Sequence, residues 1–211
     1  MTDRWSAHAQ AYRESEAHRA GADLDLLVEW AAGRTALDVA TGGGHVARRL
    51  REAGLDVVTV DPAPGMEPDV ISRAEHLPFA DGSFDVVVTR IAPHHFADIR
   101  EAIREMARVS GDLVLVVDNL YRDDVVEEAE RLRDPTHVRN YGEEEWRELF
   151  LQAGLEVEAV ELLETDIDLE AWLARAGCEG NEAERVRALL SDRVHGGRLA
   201  MTRIALKGRK R

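Results

Sequence analysis

Two carboxylates and a run of three glycines in the first third of this 211-residue chain are the groups whose spacing points most directly to chemistry. Asp38 sits in the apolar stretch Ala36-Leu37-Asp38-Val39, Gly42-Gly43-Gly44 follow it, and Val46-Ala47-Arg48-Arg49-Leu50 opens an amphipathic helical pattern. A strand, a glycine turn and a helix start make a junction where backbone N–H groups can face a small ligand, because glycine takes backbone shapes closed to other residues. Gly42, Gly44 and Ala47 also fit the spacing of a dinucleotide-binding turn, with Asp61 a suitable distance on, at the end of Val57-Val58-Thr59-Val60. Asp38 separates the two readings. A dinucleotide's pyrophosphate would lie close to it, and two unit charges about 4 Å apart interact by about 4 kcal/mol at an effective dielectric near 20. An acid at this point favours a cationic ligand.

S-adenosylmethionine, with its ammonium and sulfonium, meets that requirement, and Asp61 is then placed to accept hydrogen bonds from ribose hydroxyls. The chain continues with Ala74-Glu75-His76-Leu77-Pro78-Phe79, Asp81-Gly82-Ser83-Phe84-Asp85-Val86-Val87-Val88 and Arg90-Ile91-Ala92-Pro93-His94-His95-Phe96. In this order the segments resemble class I S-adenosylmethionine-dependent methyltransferases, in the branch named for ubiquinone and menaquinone C-methylation. The likeness runs over nearly the whole chain, through Arg131 to Arg139, Glu170-Ala171-Trp172-Leu173 and Ile204 to Arg211, as in an uncharacterised bacterial subgroup of that branch. The resemblance implies that Asp38, Ala40, Gly42 and Gly44 surround the methionine end of the cofactor, that Asp61 holds the ribose and Ala74-Glu75 the adenine edge, and that Arg90 also faces the cofactor. This chain departs from the family pattern at three places. Ala40 stands at the first glycine position. Arg73 stands where relatives often have an acid or threonine, which leaves Glu75 or backbone atoms to recognise the adenine amine. The stretch from Asp61 to Leu77 is short, and Pro62, Pro64, Gly65 and Pro68 predict a loop instead of a crossover helix, with a more open cofactor site.

Methyl transfer from a sulfonium is an in-line displacement, and its chief need is alignment of acceptor, methyl and sulfur. A hydroxyl, thiol or protonated amine must also lose a proton. His94-His95, in the loop after the fourth strand where relatives place acceptor-facing groups, suit that task near neutral pH. Adjacent side chains in an extended stretch point opposite ways, so one of the pair is expected to act while the other holds the loop against Phe96. Asn119 and Tyr121, which follow Asp118 after the fifth strand, and His137 and Arg139, in a turn opened by Asp134-Pro135, are candidates for the acceptor side. Tyr12 joins them from a helix that relatives use as a lid, which also carries His18 and a core-packing Trp5. Arg133 and Arg139 could bind a carboxylate or phosphate on the acceptor, or equally balance neighbouring glutamates. Eight histidines invite a metal. No HxxxH or HxH pair occurs with a carboxylate at ligand spacing, and none is expected to bind one.

These groups need a frame. Strands are predicted near Thr35–Ala40, Asp56–Asp61, Asp69–Ser72, Phe84–Thr89 and Leu113–Asp118, with helices between most of them and a helical Asp3–Ala32 in front. Helices at Arg122–Arg133 and Glu143–Ala153 lead to two last strands, Leu155–Leu163 and Arg198–Leu206. The expected fold class is α/β: a doubly wound, seven-stranded, mostly parallel sheet of Rossmann-like methyltransferase type, in which ligands lie beyond the carboxyl ends of the strands. One domain spans 1–211, with an N-terminal helical lid over 1–32 and a helical insertion over 168–194 capping the acceptor pocket.

Net charge −14, from 41 acidic and 27 basic residues, argues against nucleic acid, whose binding draws on lysine and arginine. The basic end Lys207-Gly208-Arg209-Lys210-Arg211 is expected to be a solvated tail. A single cysteine, Cys178, forms no internal disulfide and fits a reducing compartment. No apolar run reaches a membrane span and no signal peptide opens the chain, so a cytoplasmic monomer or homodimer is expected, without membrane partners. The function expected is methyl transfer to a small-molecule oxygen, nitrogen or activated carbon nucleophile. Two alternatives stand beside it: a methyltransferase-like cofactor-binding protein without transfer or recruited to another reaction, and a nicotinamide-dependent oxidoreductase.

Overall fold

A computed structural model describes residues 4–15 and 19–211. Five strands form the parallel part of one sheet: β1 (Thr35–Val39), β2 (Asp56–Asp61), β3 (Val70–Ile71), β4 (Phe84–Arg90) and β5 (Ser110–Asn119). Valine, isoleucine and leucine dominate them because both faces are covered. The helices α1 (Arg4–Glu14) and α2 (Ala22–Trp30) precede the sheet, α3 (His45–Glu52) joins β1 to β2, and α4 (Ile99–Val109) joins β4 to β5. Beyond β5 come α5 (Asp124–Arg133), α6 (Glu143–Gln152), β6 (Leu155–Asp168), α7 (Leu169–Arg175), α8 (Gly180–Leu189), the two-residue β7 (Val194–His195) and β8 (Arg198–Lys210).

The strand order is β3-β2-β1-β4-β5-β8-β6, with β7 paired to β8. Seven strands therefore make the expected sheet and β7 adds a short eighth. The order reverses between β1 and β4, where chains leave the sheet in opposite directions and open a crevice at the carboxyl ends. Leu37, Val87, Ile103, Met106, Trp146 and Phe150 share the core on one face of the sheet; Leu24, Leu27, Leu50, Val86 and Leu115 share that on the other. Asp98 caps α4 by accepting from the N–H groups of Arg100 and Glu101, and Asp123 caps α5 through those of Val125 and Val126. Each cap contributes about 1 kcal/mol and fixes where the chain turns back onto the sheet.

The last two strands are longer than their sequence suggests. The β5–β8 ladder ends at Asn119↔Arg203, but β6 and β8 stay paired from Leu163↔Arg203 to Asp168↔Arg198. This antiparallel ribbon projects past the sheet and packs with α5, α7 and α8 around Trp172, Leu173, Val186, Leu199 and Met201. The basic end is strand rather than tail: Lys207 and Arg209 pair with Glu158, Arg209 also with Asp112, and the Lys210 ammonium donates to the Ser110 carbonyl. Among the described residues no helix is long and apolar enough to cross a membrane.

Candidate functional site

A cleft of about 930 Å³ lies at the β1/β4 crevice. Asp61, at the end of β2, presents a carboxylate to it that is fixed from behind: Oδ2 accepts the Gly42 N–H (3.0 Å) and Oδ1 the Ala63 N–H (2.9 Å). The turn after β1 is left-handed at Ala40 (φ 56°), Gly42 and Gly44, and Gly44 (φ 73°) is also the N-cap of α3. Ile91, just beyond β4, is left-handed as well (φ 52°), which for a β-branched residue costs energy that the surrounding packing must hold. Ala40 and Ile91 both line the cleft, so the two strand ends that frame it are both turned sharply outward.

Asp38 is placed differently from the expectation. It is 1 % exposed and does not line the cleft; its carboxylate accepts from the Thr41 hydroxyl (2.6 Å) and the Ala47 N–H (3.1 Å). Burial pushes its pKa up to about 7, against the pull of those two donors. Asp38 thus ties the glycine turn to the first turn of α3 from beneath, and the charge attributed to it is weakened by its own burial. Gly44 does not line the cleft either, whereas Gly42 does. Ala74 and Glu75 reach it at the far end. Glu75 accepts from the N–H groups of Ala97 (2.9 Å) and Asp98 (3.3 Å) and pairs with Arg73 (3.3 Å). The unusual arginine is therefore a partner of the neighbouring glutamate. Arg90 lines the opposite end, its Nε on Asp23 (2.6 Å), with both side chains buried.

The short segment after Asp61 forms only a 3-10 turn, Pro64–Met66, as its prolines require. The cleft is not left open by this. Helix α1 occupies the space: the Gly65 N–H donates to Ser6 Oγ (2.7 Å), Arg13 donates to the Gly65 carbonyl (2.8 Å), and Ala9, Ala63 and Met66 pack together with Trp5 and Tyr12. A Cβ on Gly65 would stand 2.6 Å from Ser6, so glycine is what lets the helix sit this close. His18 lies outside the described residues.

A second chamber, about 500 Å³, opens from the cleft across Tyr12, Ile91 and His95, which line both. His95 Nδ1 donates to the Thr136 carbonyl (3.1 Å), a bond that sets the tautomer and leaves Nε2 with a lone pair. Burial and the neighbouring His94 push its pKa down to about 3. His94 is differently employed. Its Nδ1 lies 2.5 Å from Asp118 Oδ1, its own N–H donates to Asp118 Oδ2 (2.8 Å), and its carbonyl accepts from Val138 (2.8 Å). Burial drives both groups toward their uncharged forms, His94 down to about 4 and Asp118 up to about 7. His94 binds the β4 loop to β5 and to the turn at 136–139.

Asn119 lines the chamber, but three other acceptor-side candidates do not. The Tyr121 hydroxyl donates to Asp124. Arg139 pairs with Glu145 and lies over the Tyr141 ring, in a separate surface groove. His137 is buried behind His94, with Nε2 3.0 Å from Glu127 and Nδ1 3.5 Å from Glu130. His94, Glu130 and His137 nonetheless bring three donor atoms within 4.8 Å of one another, a set of metal-ligand types assembled by the fold that linear spacing did not reveal. The facing atoms His137 Nδ1 and Glu130 Oε2 are buried without a hydrogen-bond partner among the described residues.

Several lining residues carried no sequence signal. Thr41 and His45 stand at the glycine turn, and the His45 Nε2–H reaches the Tyr12 carbonyl (3.0 Å), joining α1 to the cleft. Arg175 and Arg203 line the chamber from α7 and β8, beside Trp172 of the already noted Glu170-Ala171-Trp172-Leu173 segment. Their clue would have been apolar periodicity broken by arginine, which the charged pattern of this region conceals.

A βα-wound sheet with a ligand cleft at β1/β4 and an antiparallel β6/β8 edge defines the class I methyltransferase fold. Comparison with known proteins agrees. The family described as a methyltransferase domain matches residues 37–113. The uncharacterized methyltransferase YcgJ of Bacillus subtilis is 31% identical over 207 residues, covering 86% of this chain and 82% of that protein. Its crystal structure superposes with a TM-score of 0.81 at 27% identity, over 90% of this chain and 98% of that one. Demethylmenaquinone methyltransferase of Thermus thermophilus is 38% identical over 122 residues, 46% of this chain and 55% of the relative. The chain belongs to the class I S-adenosylmethionine-dependent methyltransferases.

Proposed function

We propose that the protein transfers a methyl group from S-adenosylmethionine to a small-molecule acceptor bound in the inner chamber, with His95 facing the acceptor. The observation that carries this reading is the junction at Tyr12, Ile91 and His95, where the cleft opens into a second space lined by side chains. The cleft suits the cofactor. Asp61 offers two oxygens preset by backbone donors for the ribose diol, Met66, Ala74 and Phe96 offer apolar contact to the adenine, and Arg90 offers a cation to the methionine carboxylate. When bound, S-adenosylmethionine supplies an electrophilic methyl on a positive sulfur.

The chain's own contribution is alignment and exclusion of water. Helix α1 closes the cleft through Trp5, Tyr12 and the Gly65 contact, acting as a lid, and α7 caps the chamber. His95 Nε2 accepts a hydrogen bond from the acceptor's O–H or N–H and takes the proton as the methyl arrives. A ring held neutral by burial keeps its lone pair near neutral pH, and a weak base suffices for a hydroxyl acceptor, whose methylated oxonium form is a strong acid. Calorimetry with S-adenosylhomocysteine and with NADH tests the cofactor assignment. Binding of the first alone is expected; binding of NADH alone would reinstate the oxidoreductase.

A further inference from the structure

The inner chamber carries a charge pattern at odds with the rest of the molecule. Three arginines line it, Arg133, Arg175 and Arg203, and no acidic side chain does so among the described residues, in a chain of net charge −14. Arg133 and Arg203 are 7 % and 6 % exposed. Buried guanidinium groups ordinarily meet carboxylates, because an unpaired charge is costly away from water. Here that pairing is incomplete. Arg203 shares the single carboxylate of Asp23 with Arg90, and its Nε has no hydrogen-bond partner. Arg133 lies 4.4 Å over the Trp172 ring and donates to the Trp172 carbonyl, and the carboxylate it interacts with, Asp134, does not line the chamber. Arg175 donates to Ser15 Oγ (3.0 Å) and its Nε also lacks a partner. Burial and the two neighbouring arginines lower the Arg175 pKa to about 10, a sign of mutual repulsion.

We propose that the chamber takes the anionic group of the acceptor, a carboxylate or a phosphate, among the guanidinium groups of Arg133, Arg175 and Arg203. The rest of the wall is Ile91, Ile167, Trp172 and Met201, so the ligand is a small amphipathic acid with an apolar body. The guanidinium fork matches both oxyanions bidentately. Such a ligand relieves the repulsion among the three cations, and its anchored end leaves its nucleophile toward His95 and the cleft. The inference rests on the methyl-transfer reading for the ligand's role as acceptor, but not for its charge.

Binding to the full chain loaded with S-adenosylhomocysteine tests it without turnover, so a failure of methyl transfer leaves the outcome readable. Benzoate, phenyl phosphate and the neutral control benzamide are titrated calorimetrically against the wild type, Arg175→Gln and Arg175→Lys. At least one anion is expected to bind about tenfold or more tighter than benzamide, the better of the two identifying the group. Arg175→Gln should remove that preference and Arg175→Lys restore part of it, with S-adenosylhomocysteine affinity unchanged as the check on folding. Benzamide binding as well as both anions, binding of none of the three, or a preference that survives Arg175→Gln overturns the proposal.

Discussion

The cofactor cleft and the inner chamber meet at His95 yet are built by opposite means. The cleft is a feature of backbone: left-handed residues at the ends of β1 and β4, and an Asp61 carboxylate held by two N–H groups. The chamber is a feature of side chains, drawn from α1, α5, α7, β6 and β8 and lined by arginine. The cleft mixes the carboxylates of Asp61 and Glu75 with the cations of Arg73 and Arg90, whereas the chamber presents cations and, among the described residues, no carboxylate. A common donor and a particular acceptor call for this division. Backbone geometry survives most substitution, while a wall of side chains from remote segments can be changed one residue at a time.

The largest effect is expected where the two regions meet. His95→Ala should lower turnover by about 10²–10⁴ if the ring accepts the acceptor's proton, with cofactor affinity nearly unchanged. Steady-state kinetics on an identified acceptor, paired with calorimetry, measures both. Equal loss of cofactor binding would make His95 a cofactor contact instead of a base. Asp23 joins the regions from below, since it pairs with Arg90 of the cleft and Arg203 of the chamber. Asp23→Asn leaves two buried cations facing each other and should destabilise the fold by about 3–5 kcal/mol in denaturant titration. A loss below about 1 kcal/mol, the range of surface pairs, would show that the two arginines do not depend on it.

Asp61→Ala should act on the cleft alone. A charged hydrogen-bond acceptor contributes about 1.5–3 kcal/mol, so S-adenosylhomocysteine affinity should fall by about one to two orders of magnitude. An unchanged dissociation constant in a folded variant would remove the ribose assignment. The smallest effect concerns pH. The folded chain holds His95 down to about 3 from an ordinary 6.5, so its neutral ring contributes stability above pH 6.5 that is lost as pH falls toward the folded value. Asp118, raised from 3.8 to about 7, contributes with the opposite sign: its stabilisation is full below 3.8 and fades as pH rises to 7. The wild-type curve mixes these with His94, which has the sign of His95, and Asp38, which has that of Asp118, and His95→Gln isolates the His95 share. Between pH 6.5 and 4 the variant should lose less stability than the wild type; parallel curves would contradict a buried neutral ring.

The cleft was legible in the sequence because its parts are local. Three glycines after an apolar strand, an acid at the end of the next strand and four helix breakers in Pro62–Pro68 each predict a backbone shape over a few residues. The facing of a side chain is not local, and Asp38 shows it: spacing put it at the turn but could not say that it points beneath. His137 and Arg139 were misplaced for a related reason, since the carboxylates that hold them, Glu127, Glu130 and Glu145, lie on helices whose approach only the fold determines. The ribbon of β6 and β8 outran its prediction because Glu164-Thr165-Asp166-Ile167-Asp168 read as polar where a cross-strand ladder in fact continues. The chamber was legible only in parts, through Tyr12, Arg133 and the cap over 168–194. Tyr12, Arg133, Arg175 and Arg203 become neighbours only when the first helix, the α7 insertion and the last strand come together.

The most direct measurement is mass spectrometry of a small-molecule extract incubated with the full chain and S-adenosylmethionine bearing a deuterated methyl. Wild-type protein should place the labelled methyl on at least one compound and produce S-adenosylhomocysteine in equal amount, while Asp61→Ala at the same cofactor concentration yields far less of both. Cofactor bound by calorimetry, with no compound labelled and no S-adenosylhomocysteine formed, would contradict methyl transfer and leave a binding protein or another reaction in its place.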